Sequence, residues 1–139
     1  MAGSISVATS DLKSGVTKYA VTWTSDASGD VNTNDFAMKM GTVIAVEFVP
    51  GAGALAPTDL YDVDLLDEEG VTMFDNGGGT TIGANLSSTL ASHHVPMTGL
   101  VGVTIYRRWH HGGLVQPTVA AAGDSNSGTI NIYVADGVI

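Results

Sequence analysis

The 139-residue chain has no cysteine, which removes disulfides, zinc–thiolate sites, iron–sulfur clusters and cysteine nucleophiles together. Cations are scarce as well: five Lys+Arg stand against 14 Asp+Glu, a net charge of −9. A surface of that sign repels a phosphate backbone and an anionic bilayer, so neither nucleic acid nor membrane is an expected partner. The longest apolar stretch, Val43 to Val49, is broken by Glu47 and is far too short to span a membrane. The opening residues, MAGSISVATSDLK, carry neither a basic leader nor an apolar core, so the expectation is a protein made in a cytoplasm without a standard secretion signal. At 14.2 kDa the chain is sized for one domain, here residues 1–139, with a core large enough to need no covalent staple.

What the sequence has in quantity is glycine, 18 residues, and alternation. Thr17–Thr24 sets Tyr19, Val21 and Trp23 against Lys18, Ala20, Thr22 and Thr24. Thr42–Val49 puts Ile44, Val46 and Phe48 on one face, with Val43 and Ala45 suggesting partial burial of the other, and Leu60–Leu66 alternates Tyr61, Val63 and Leu65 with Asp62 and Asp64. Leu100–Tyr106 and Thr129–Val134 repeat the pattern, with shorter strands expected at Ser4–Thr9, Val71–Phe74 and Leu114–Ala120. SDASGD, PGAGALAP, DEEG, HHGG and GDSNSG are turn clusters between them. Pro50 and Pro117 are expected at a strand edge or end, because proline donates nothing to a ladder. Only Ala84–His94 has a helical spacing, and its serines and threonines argue equally for a loop. The predicted fold is all-β: an antiparallel β-sandwich, jelly-roll-like, of roughly seven or eight short strands with little or no helix. Residues 1–16 read either as an edge strand or as an arm that orders on contact.

Three segments carry a resemblance. Thr22–Gly29 reads TWTSDASG, Pro57–Gly70 reads PTDLYDVDLLDEEG, and Ser127–Val134 reads SGTINIYV. In this order the chain resembles, from about Thr17 to Val134, a group of small β-rich virion structural proteins of tailed bacteriophages. The resemblance implies a capsid decoration (cement) protein on the virion surface. Its partners would be the major capsid protein and further copies of itself, as a homotrimer. It implies no catalysis, no cofactor and no metal. A head fibre, a tail or connector component, and a carbohydrate-binding β-sandwich are the alternatives.

The residues offer four local candidates. Tyr106–Gly113, YRRWHHGG, concentrates Arg107, Arg108, Trp109, His110 and His111, the types that dominate protein interfaces, and is read as a hairpin tip if Leu100–Tyr106 pairs with Leu114–Ala120. Packing of Trp109 in the core is the competing reading; self-contacts and capsid contacts are expected at loops and exposed strand edges, with the 106–113 tip and the 76–99 loop as first suspects. His93–His94 and His110–His111 are adjacent pairs, and neighbours on a strand point to opposite faces, so each pair offers one ligand at most to a metal. Asp62 and Asp64 share a strand face at a separation of about 6.5–7 Å, near the carboxylate spacing of a glycosidase, but the acidic run continues into a DEEG turn and reads better as a solvated face. Gly77–Gly79 lacks the lysine that a phosphate-binding loop requires.

Overall fold

A computed structural model describes residues 2–70, 72–73, 83–94, 100–101, 104–105, 109–110 and 112–136. Its strands are β1 (Ser4–Asp11), β2 (Val16–Thr24), β3 (Phe36–Met38), β4 (Gly41–Pro50), β5 (Asp62–Leu66), β6 (Ser92–His94), β7 (Leu100–Val101), β8 (Thr104–Ile105), β9 (Trp109–His110), β10 (Gly113–Ala120) and β11 (Ser127–Ala135). Among the described residues the sole helical element is a 3-10 turn at Gly53–Leu55. The larger sheet runs β1-β2-β11-β4-β6, with β9 also on β4; the smaller runs β3-β10-β5, and β7 pairs with β8. Every pairing between these strands is antiparallel. The fold is an all-β sandwich.

Alternation explains which side chains fill it. The large sheet turns Tyr19, Val21, Trp23, Val46, Phe48, Ile130, Ile132 and Val134 inward, and the small sheet answers with Phe36, Met38, Val63, Leu65, Val115 and Val119. These residues form one continuous buried cluster. Two aromatic contacts tie it together: Tyr19 to Phe36 across the sheets at 5.9 Å, and Trp23 to Tyr61 at 5.7 Å, both tilted. Each fully buried Val, Leu, Ile or Phe contributes roughly 1.5–3 kcal/mol.

Two sequence expectations change here, and one open reading closes. In β4 the register against β11 shifts between Tyr133 and Val134, so Val43 is buried and Ile44 is not. An extra residue in one strand flips every later side chain to the other face, and strict alternation through Ile44 does not survive it. Leu100–Tyr106 is not one strand: Leu100 and Val101 pair back onto Ile105 and Thr104. Ala84–His94, open between helix and loop in the sequence, is resolved toward the loop: it holds turns and an isolated bridge from Leu86 to Tyr61, and ends in strand β6.

Pro117 lies inside β10 opposite Leu65, and the ladder accommodates it. Val119 exchanges both backbone hydrogen bonds with Val31 at 2.8 and 3.0 Å. By alternation the nitrogen of Pro117 faces that same side, between the Val31–Val119 bridge and the Phe36–Val115 pair. The opposing chain bulges away there, so no donor is missed. The Gln116 side-chain amide spans the gap by donating to the Asn32 carbonyl.

Candidate functional site

The two ends of the sandwich differ. At one end lie the β2–β3 loop, the loop after β4 and the β10–β11 loop. At the other lie the β1–β2 turn, Lys39–Met40, β9 and the residues after β11.

The three segments that carry the phage resemblance converge near the first end. Trp23 of TWTSDASG packs on Tyr61 of PTDLYDV, and Gly128 of SGTINIYV lies under the same indole. The Ser25 hydroxyl, fully buried, donates to the Gly123 carbonyl at 2.5 Å and accepts the Asn126 amide at 3.0 Å. Thr58 donates its amide to the Ala122 carbonyl at 2.7 Å. The Asp26 carboxylate accepts the amides of Ser28 and Asp30 at 2.8 and 3.0 Å. These segments therefore build the frame that holds the loops. Ser25→Ala leaves the Asn126 amide without its acceptor and should cost about 1–3 kcal/mol in thermal or urea unfolding; an unchanged midpoint would show that the loop frame does not depend on it.

Two groups at this end have shifted pKa values. The Asp30 amide, followed by those of Ser28 and Gly29, holds the Asp26 carboxyl below its ordinary 3.8, against an opposing effect of desolvation. The stabilisation this gives is complete above 3.8 and disappears as pH falls through the lowered folded value. Burial pushes the Tyr61 phenol up to about 12, so it stays neutral in the core.

The loop after β4 and the facing 84–90 stretch expose apolar side chains. Leu55, Leu60 and Leu90 are 54%, 58% and 69% exposed, and Ala52 and Ala54 are exposed beside them. The Leu60 amide donates to the Leu86 carbonyl at 2.9 Å, and Asp59 accepts the Ser88 amide at 2.9 Å, which draws Asp59–Leu60 and Leu86–Leu90 together. Where the loop after β4 meets Ser88 and Thr89 is a half-open hollow of about 270 Å³, lined by Pro50–Gly53, Ala56, Ser88 and Thr89, without an ionisable side chain. An apolar, uncharged hollow offers contact area and no acid–base chemistry. PGAGALAP is visible in the sequence as a turn cluster. Its three-dimensional partner, the Leu86–Leu90 stretch, is what makes it a surface.

Of the residues singled out from sequence, those that are described lie in strands and their flanking turns. Arg107, Arg108 and His111 lie outside the described residues. The backbone of Trp109 and His110 forms β9, antiparallel to Thr42 and Gly41 at the start of β4. The imagined hairpin tip does not form from the pairing that would create it, because β10 is flanked by β3 and β5. The backbone of His93 and His94 lies opposite Glu47 and Val46, and that of His110 opposite Gly41. Five positions along β4 separate His94 from His110, about 17 Å at the strand rise, more than one metal ion bridges. Among the described residues no three His, Asp or Glu gather as a metal site. Asp62 accepts the Asn85 amide at 2.7 Å, while Asp64 accepts the Leu65 amide at 2.8 Å and the Thr72 hydroxyl at 3.0 Å. Both carboxylates thus tie down loops. Gly77–Gly79 is outside the described residues.

Of the nine aromatic residues, Tyr19, Trp23, Phe36, Phe48 and Tyr61 are buried, and Tyr133 is half-buried with the Lys18 ammonium 5.7 Å from its ring centre. A stacking platform for sugars is not formed among the described residues. Comparison with known protein families, curated sequences and solved structures returns no match for this chain.

Proposed function

We propose that the chain is a virion structural protein of a tailed bacteriophage, a capsid decoration protein that binds the outer shell and stabilises it. The observation that carries this reading is the leucine-bearing loop end. On a molecule of charge −9, Leu55, Leu60 and Leu90 stay exposed on two loop segments that hydrogen bonds tie together, next in sequence to a hollow with no ionisable lining, on a frame to which the three segments of the resemblance contribute. Such a surface suits adhesion to another protein. A ligand that binds only the assembled lattice stabilises it by mass action, and repetition over a shell multiplies a modest contact energy. The partners are the major capsid protein and further copies of this chain, and the place of action is the capsid surface.

Leu55→Ser combined with Leu90→Ser tests the contact. Each leucine buried on binding is worth roughly 1.5–3 kcal/mol, so the double variant should bind emptied heads at least about a hundredfold more weakly. Both side chains are already in solvent, so its melting temperature should match the wild type. Equal shell affinity would move the contact away from this end. Protein quantification of purified particles separates the roles within a virion. A decoration protein is present in copies commensurate with the capsid subunit, whereas a tail or connector component is present in far fewer.

A further inference from the structure

The outer edge of β1 is built to pair with another strand. Its eight residues, SISVATSD, match β2 one to one without a bulge, and it is the terminal strand of its sheet. The direction of its backbone groups follows from hydrogen bonds further in. The Gly51 amide donates to the Ser127 carbonyl at 2.8 Å, so Ser127 faces β4. Strand alternation then turns Gly128, Ile130 and Ile132 toward Trp23, Val21 and Tyr19 of β2. The intervening β2 residues, Lys18 to Thr24, turn toward Ser10, Ala8, Ser6 and Ser4 of β1. The Leu12 amide continues this series by donating to the Val16 carbonyl at 2.9 Å. Ile5, Val7 and Thr9 therefore direct both N–H and C=O away from the sheet, and among the described residues no backbone partner meets them.

Sheet edges are ordinarily guarded by lysine, proline, a bulge or shortness. β1 has none of these, and its one ionisable side chain is Asp11 at the very end. Ile5 and Val7 are half-buried against the core, so their remaining exposed area lies along the same edge.

The geometry points to a second copy of this chain as the occupant, with β1 antiparallel to β1 about a twofold axis through Val7. Val7 then faces its own copy, Ile5 faces Thr9, Ser6 faces Ala8 and Ser4 faces Ser10. All six outward N–H and C=O groups on each copy are used, and the inward faces of both sheets stay on the same side. No like charges oppose each other, since Asp11 falls opposite Gly3. The strip is uncharged on a chain of −9, so it is a route by which two copies approach with little repulsion. Because the strand meets itself, the contact is isologous and closes at two, unlike the threefold assembly that the phage resemblance implies. It does not rest on the proposed function.

Light scattering on the full chain should give twice 14.2 kDa. Thr9→Pro removes an exposed, outward-facing N–H that the monomer does not use. By symmetry two hydrogen bonds are lost, so association should weaken about tenfold to a hundredfold with the melting curve of the monomer retained. Val7→Cys supplies an independent reading. Paired residues at such a position are about 5.5 Å apart at Cα, within disulfide range, and the chain has no other cysteine, so mild oxidation should give a covalent dimer. A single-chain mass, a threefold mass, or a dimer that Thr9→Pro leaves intact and Val7→Cys fails to cross-link would overturn the inference.

Discussion

Trp23→Ala should lower the stability of the fold by about 3–5 kcal/mol, the largest loss expected from any single side-chain truncation here. The indole is almost wholly buried, lies near the loop-bearing end of β2, and meets Tyr61 at 5.7 Å. Its removal leaves a cavity bounded by strands that cannot close, because β2 is held on both sides by full-length ladders with β1 and β11. For a domain that is typically stable by about 5–15 kcal/mol, this is a large fraction, and the melting temperature should fall by roughly 10–20 °C. Calorimetry or thermal circular dichroism reads the change directly. A fall of only a degree or two would mean that the Thr22–Gly29, Pro57–Gly70 and Ser127–Val134 segments are not held together through this ring.

Gly128→Ala tests the same junction from the other side. A Cβ at this position would sit 2.6 Å from Cζ2 of Trp23, 2.8 Å from Cε2 and 3.0 Å from Nε1. An indole packed against Tyr61 has little room to yield, so the methyl group should cost about 1–3 kcal/mol through strain, although alanine is ordinarily better than glycine in a strand. The cause is separable. In a Trp23→Phe background the clash is relieved, and the two substitutions should be less damaging together than the sum of each alone, with a coupling of about 0.5–3 kcal/mol. Strict additivity would place the cost in the backbone rather than in the contact.

Much of the fold is legible in the sequence because it rests on period-2 alternation over a single buried face. Tyr19, Val21 and Trp23, Val63 and Leu65, and Ile130, Ile132 and Val134 all turn inward as the pattern requires. Ile44 shows the limit of such reading: one inserted residue moves burial to Val43, and nothing in TVIAVEF marks the insertion. Pro117 shows another, since its place within β10 is permitted by a bulge in a segment more than eighty residues away. The candidate surface is legible in part: the 76–99 loop, a contact suspect from sequence, contains its Leu86–Leu90 half, while the half after β4 is unmarked. Leu55 and Leu60 lie in a loop with ordinary turn chemistry, and they become part of a patch only when Asp59 and Leu60 bond to Ser88 and Leu86. The unguarded edge at β1 is written in its composition, which contains no lysine and no proline, but its significance appears only once β1 is seen to be the last strand of its sheet. For Trp109 and His110 the backbone placement comes from the pairing of β9 with the start of β4, which residue type does not announce.

The most direct test of the account is a titration of the purified chain onto emptied phage heads, read by co-sedimentation and by the temperature at which the heads disassemble. The account predicts saturable binding at a fixed ratio to the capsid subunit, with a higher disassembly temperature once the sites are filled. Heads that neither retain the protein nor gain heat resistance would contradict it.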